Sequence, residues 1–306
     1  MGTWQGARPN PAGSLDFPAG SGNGMAMRML AILLAPLALA FLFALLSYVF
    51  YWYEVASSPH RAVFERAAAG HPWRLILRLA ALAMRAQLAA YGSTLLGLWP
   101  GMHRPRVTDA GAPVLFVHGL YHSAGGWVAM RRRFRKAGVR NLHGLNYNSL
   151  RNDLPAIGEI LKQRLREVLS AHPGRKVFLV GHSTGGLAIR QALLDAGIRD
   201  SVAGAAILGT PHHGSKLAAL AIGRTARDLL WGCAFIRGLN AAPAPELPLL
   251  SLYTEFDNMV LPPEATRIPA GAPWREEPAG LCSHVGLLFD RSVAERVLDF
   301  YRECAR

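Results

Sequence analysis

The chain has 306 residues, 51% hydrophobic and only 17% charged, which excludes disorder, since disordered chains combine low hydrophobicity with high charge. No heptad or Gly-X-Y period runs through it, so a coiled coil or collagen-like rod is excluded as well. Lys plus Arg outnumber Asp plus Glu by 33 to 20, a net +13; this suits an anionic membrane surface, and without a zinc-finger, RRM or KH pattern it predicts no nucleic-acid partner.

Residues 1–28 are rich in Gly, Pro, Ser and Asn and read as a flexible leader. Residues 29–53 hold no charged side chain and are bounded by Arg28 and Glu54. About 20 helical residues cross a hydrocarbon core, so this stretch predicts a transmembrane anchor. It exceeds the ~7–15 residues of a signal-peptide core. Its far end carries Tyr48, Phe50, Tyr51, Trp52 and Tyr53, as in an interfacial aromatic belt. Residues 54–112 contain a second apolar stretch, Trp73 to Trp99. Arg78 and Arg85 lie seven apart there and share one helical face. An amphipathic helix lying on the membrane or on the following domain is expected, then a Gly/Pro-punctuated linker.

From 113 to 306 short apolar runs alternate with amphipathic helices. Strands are predicted at 114–117, within 139–147, at 177–180, 202–208 and 249–253. Helices are predicted at 126–137, 155–169, 185–196 (closed by Gly197) and 292–304. The basic run Arg131 to Lys136 falls on the first of these and reads as a solvated helix face. Such alternation predicts an α/β fold with a mostly parallel central sheet and helices on both faces. Three widely spaced cysteines, Cys233, Cys282 and Cys304, give no CxxC and no metal pattern.

The strongest chemical signal is Gly181-His182-Ser183-Thr184-Gly185 between a strand and a helix. A nucleophilic serine must sit on a tight strand-to-helix turn. Gly181 and Gly185 would let the two backbones approach, and the helix N-terminus would face a developing oxyanion. A serine there also serves as a helix cap. Serine needs a base, and His284, before the closing helix, is the candidate. His182 is expected to point away on the turn; His118, His122, His212 and His213 read as shaping residues. The acid should follow the strand 249–253, where Glu255 and Asp257 are both eligible.

Residues 113–304 resemble a bacterial lipase or esterase of the α/β-hydrolase superfamily. The resemblance rests on Val117-His118-Gly119-Leu120, Gly181-His182-Ser183-Thr184-Gly185-Gly186, Gly209-Thr210-Pro211-His212-His213-Gly214, Asp257-Asn258-Met259-Val260-Leu261-Pro262 and His284-Val285-Gly286-Leu287-Leu288, in that order. It implies the α/β-hydrolase fold, Asp257 rather than Glu255 as the acid, and an oxyanion hole from the backbone N–H groups of Leu120 and Thr184. It also implies a small cap or lid insert at 216–247, whose apolar residues suit either ordinary packing or an acyl-chain wall. No cofactor and no metal site is expected. The function expected is cleavage of carboxylic esters by a membrane-anchored serine hydrolase acting on an acyl-ester or lipid substrate, in the bacterial inner membrane and with no protein partner evident. The same residues could serve an acyltransferase or thioesterase. The complete Ser, Asp and His set argues against a non-catalytic membrane-bound interaction protein.

Overall fold

The structure, a computed structural model, describes residues 2, 21–97 and 111–305. Most of the predicted leader and of the linker before residue 111 lies outside the described residues. The chain divides into two compact units, residues up to Leu39 and residues Ala40–Arg306. Helix α1 (Ser21–Ala56) runs from the first into the second, and α2 (Arg61–Ala68) and α3 (Pro72–Gly97) follow. α1 starts ahead of the uncharged stretch because a nucleated helix propagates readily through Met25, Ala26 and Met27, which are good helix formers. In the first unit Met25, Met27, Met29, Leu30 and Leu34 are exposed. Leu37–Ala56 and Pro72–Thr94 are both long and apolar enough to cross a membrane.

The rest of the second unit alternates strands and helices. β1 (Val114–Val117), α4 (Val128–Lys136), β2 (Leu142–Leu145), α5 (Leu154–Ala171), β3 (Val177–His182) and α6 (Thr184–Ala192) come first. Then come α7 (Ala196–Asp200), β4 (Val202–Leu208), α8 (Arg224–Arg227), α9 (Ala234–Ala241), β5 (Leu249–Tyr253), β6 (Arg275–Pro278) and α10 (Arg291–Cys304). The six strands form one sheet in the order β2-β1-β3-β4-β5-β6, and every neighbouring pair is parallel. This is the α/β-hydrolase fold the sequence predicts.

Successive strand residues face opposite ways, so each strand feeds two cores. Phe116, Phe178, Val180, Leu208 and Leu252 face α4, α10 and the C-terminal part of α3. Leu115, Leu179, Ile207 and Leu249 face α5, α6 and α9. A third cluster joins α1, α2 and the N-terminal part of α3 to Phe256 and Leu261. Arg78 and Arg85 lie on the exposed side of α3, whose Leu75, Leu79, Ala86 and Ala90 are buried. All three cysteines are free.

Four local expectations differ from the structure. β6 carries no apolar pattern: its sequence is Arg-Glu-Glu-Pro. As an edge strand it needs backbone pairing on one side only, and its charges blunt further pairing; Arg267 and Arg275 hold Glu276 and Glu277 in ion pairs. Gly197 does not close a helix, because the Asp195 side chain accepts from the Ile198 N–H and starts α7 instead. Arg131 is buried, not solvated, and donates to the Leu142 carbonyl at 3.1 Å. Tyr48 and Tyr51 are fully buried against protein and do not form a belt. Their hydroxyls donate to the carbonyls of Phe256 (3.2 Å) and Glu255 (2.9 Å); a phenol taken out of water needs such a partner.

Candidate active site

In open parallel sheets, ligands bind beyond the carboxyl ends of the strands. The predicted site residues lie there: Leu120 after β1, Ser183 after β3, Asp257 after β5 and His284 after β6.

Ser183 occupies the turn between β3 and α6 with φ 54° and ψ −121°, a backbone state costing about 1–3 kcal/mol in a residue with a Cβ. The turn is pinned by hydrogen bonds from Ser183 N–H to the Leu208 carbonyl (2.8 Å) and from Gly186 N–H to the Ser183 carbonyl (3.0 Å). Glycine is required around it. A Cβ on Gly185 would collide with the Val117 carbonyl and come within 2.6 Å of that of His118. A Cβ on Gly181 would lie 2.8 Å from the Gly186 nitrogen. Gly119 brings the segment after β1 down onto the turn; its missing Cβ would sit 3.1 Å from the Ser183 Cβ. Leu120 and Ser183 therefore border one cavity. Thr184 is the first residue of α6, where backbone N–H groups have no partner inside the helix.

His284 Nδ1–H donates to Asp257 Oδ2 at 2.7 Å. Asp257 is fully buried, and its other oxygen accepts from the N–H groups of Met259 (2.9 Å) and Val260 (2.8 Å). Three donors thus surround one carboxylate. Glu255 faces elsewhere: it meets His60 between α1 and α2 at 3.2 Å.

Sequence reasoning missed the supports of His284. Asn258 Oδ1 accepts from the His284 N–H (3.2 Å), and Asn258 Nδ2 donates to Ser47 Oγ on α1 (2.7 Å). The Asp-Asn pair in the motif hinted at Asn258; a serine in an apolar helix gave no hint of its partner. His182 does not turn away from the site. Its ring centroid lies 4.7 Å from that of His284, and its Nε2–H donates to the His284 carbonyl at 3.1 Å. Burial holds its pKa well below that of a free imidazole, so it supports the site as a neutral ring. His118 stacks on Tyr147 and donates from Nδ1 to the Gly119 carbonyl at 2.8 Å. Burial lowers its pKa to about 4.

Ser183, His182 and His284 border a cavity of about 420 Å³, otherwise walled mostly by apolar side chains. A second cleft, of about 480 Å³, lies at the amino ends of β1, β3, β4 and β5, beside Arg175, Lys176 and Arg199; no predicted site residue borders it. Among the described residues no group of three His, Cys, Asp or Glu side chains is placed to hold a metal ion.

Residues 114–302 match the model of the alpha/beta hydrolase family. The probable esterase PIR7A of Oryza sativa subsp. indica is 35% identical over 90 residues, 28% of this chain. That stretch is 34% of PIR7A, so the chain spans about a third of the length of the curated relatives it matches. The mature form of Bacillus licheniformis lipase BlEst2 is similar in structure, with a TM-score of 0.54 and 21% identity over 66% of this chain and 95% of that one. Aspergillus fumigatus lipase B gives 0.56 at 21% identity, over 64% of this chain and 55% of that one. These two likenesses are of fold.

Proposed function

The chain belongs to the alpha/beta hydrolase family, and on that premise we propose that it hydrolyses carboxylic esters of acyl lipids through Ser183, His284 and Asp257. The observation that carries this reading is the 2.7 Å bond from His284 Nδ1 to the buried Asp257 carboxylate, beside a cavity shared with Ser183 on its strained turn. A carboxylate at Nδ1 fixes the tautomer that leaves Nε2 free to take a proton.

Ser183 Oγ bonds to the acyl carbon as its proton passes to His284 Nε2. The oxyanion that forms is held by the N–H groups of Leu120 and Thr184. Collapse breaks the bond to the alcohol, which leaves with the proton from His284. Water then repeats the sequence on the acyl-enzyme and releases the acid. Asp257 stabilises the imidazolium in both halves without taking its proton.

In this reading α1 holds the catalytic unit at a membrane, the bacterial inner membrane on the resemblance drawn above. The uncharged run 29–53 and the exposed Phe41, Leu42 and Val49 support it. Ser183→Ala should abolish turnover of p-nitrophenyl butyrate and labelling by a fluorophosphonate probe. Undiminished labelling of the variant would remove Ser183 from its role.

A further inference from the structure

We propose that α1 and α3 are themselves the cap of this enzyme, and that they form the wall against which the long acyl chain of a membrane lipid ester lies. The proposal rests on the ester-hydrolase reading above and names its substrate class and selectivity residues.

Two groups of apolar residues line the cavity over Ser183: Leu217 and Leu220 of the segment 217–221, and Phe43, Leu46 and Phe50 of α1 with Tyr91 of α3. The insert at 216–247 cannot supply the wall alone. Its Ile236 and Leu239 are drawn into the core, and of the insert only Leu217, Ala218, Leu220, Ala221 and Leu229 border the cavity. The helices complete the enclosure.

α1 presents different faces to different surroundings. Ala44, Tyr48, Tyr51 and Val55 are buried against protein, whereas Phe41, Leu42 and Val49 are exposed. Phe43 and Leu46 are about half exposed and also border the cavity. The lining from the Ser183 turn to the free apolar face of α1 is therefore mostly apolar, with Ser47, Gln87 and Thr94 set among the apolar side chains. Leu220, 70% exposed, also belongs to the lining. A chain lying along α1 in lipid has a mostly apolar route to the site.

The lining also excludes other substrates. Among the described residues no Asp, Glu, Lys or Arg borders the cavity. A charged acyl carrier or a phosphorylated leaving group finds no counter-ion among these residues, and desolvating a charge without a partner is costly. The volume of about 420 Å³ lies within the usual range for a ligand pocket.

The test uses the full chain in mixed micelles with p-nitrophenyl esters from acetate to palmitate. Burying one methylene contributes ~0.8 kcal/mol, a factor of about four. In the wild type kcat/KM should rise by up to that factor per methylene and then level off once the wall is covered. Leu46→Trp should move the levelling point to shorter chains. Leu46→Ala, which adds no bulk, should lower the palmitate-to-acetate ratio about tenfold or more. Val49→Trp adds at least as much bulk, on the exposed face outside the cavity lining, and should leave the levelling point where it is. An unchanged profile in both Leu46 variants overturns the proposal, and so does an equal shift in Val49→Trp, which would reflect partition into the micelle. Absence of wild-type turnover on every ester, together with absence of fluorophosphonate labelling, instead overturns the ester-hydrolase reading beneath it.

Discussion

Asp257→Asn separates charge and tautomer from shape. The substitution preserves the outline of the side chain but replaces one oxygen by an NH₂ group. Asp257 Oδ1 faces two backbone donors, the N–H groups of Met259 and Val260, and the remaining amide oxygen must take that position. Turning the amide over would lose both bonds, about 1–3 kcal/mol together at ~0.5–1.5 kcal/mol each, and set NH₂ against N–H. The NH₂ group then faces His284 Nδ1, where the wild type has an acceptor 2.7 Å away. A donor there forces Nδ1 to accept and puts the proton on Nε2. His284 can no longer take the Ser183 proton. The same substitution in a serine protease lowers kcat about 10⁴-fold, and a loss of that order is expected here. Stopped assays of p-nitrophenyl butyrate hydrolysis measure it, with urea unfolding as the control for fold. Glu255→Gln should stay within a few-fold of wild type, since Glu255 meets His60. An Asp257→Asn enzyme within tenfold of wild type, or a Glu255→Gln enzyme as impaired, would refute the reasoning.

Gly185→Ala drives a methyl group into the carbonyls of Val117 and His118; displacement of the segment after β1 by ~1 Å is expected to cost about 100-fold in kcat/KM, read against unchanged far-ultraviolet circular dichroism. Acid should destabilise the fold. His118 titrates at about 4 when folded and His182 well below its ordinary value, so between the unfolded pKa near 6.5 and those values the unfolded chain binds more protons. Their contribution is complete above about pH 6.5 and is lost as pH falls, by roughly 1 kcal/mol per pH unit for each ring. The urea midpoint should drop between pH 7 and pH 5, and a midpoint that holds or rises contradicts neutral burial. Tyr48→Phe with Tyr51→Phe removes two hydroxyl bonds to the segment that carries Asp257; unfolding free energy should fall by about 1–2 kcal/mol, with turnover reduced alongside it, as chemical denaturation and the butyrate assay would show.

The legible parts of the fold were those whose physics is local. β1, β3, β4 and β5 are continuous apolar runs because both of their faces are buried, and the Ser183 turn is marked by glycines that steric contact demands. β6 was invisible because its partner supplies the backbone bonds and its own side chains need no burial. The choice between Glu255 and Asp257 was likewise open to local reasoning: both follow β5, and only the three-dimensional path gives one to His284 and the other to His60. Ser47 and Asn258 are 211 residues apart in sequence, so no window along the chain relates them. The tyrosines of α1 read as residues for a lipid boundary because an amphipathic ring suits that place as well as it suits a carbonyl inside protein.

The bond from Asn258 to Ser47 and those from Tyr48 and Tyr51 bear on how the enzyme is prepared. A common way to prepare a chain with a long apolar N-terminal helix is to cut that helix away and keep the rest. Here a cut after residue 56 would remove two large buried rings, three hydrogen bonds to residues 255–258 and the ion pair of Glu54 with Lys216. Truncating a buried aromatic side chain typically costs 3–5 kcal/mol, while a whole domain is stable by about 5–15 kcal/mol. The shortened product would lose most of its stability and the seat of its base together. Expression of the intact chain in detergent or nanodiscs is the preparation on which turnover can be measured.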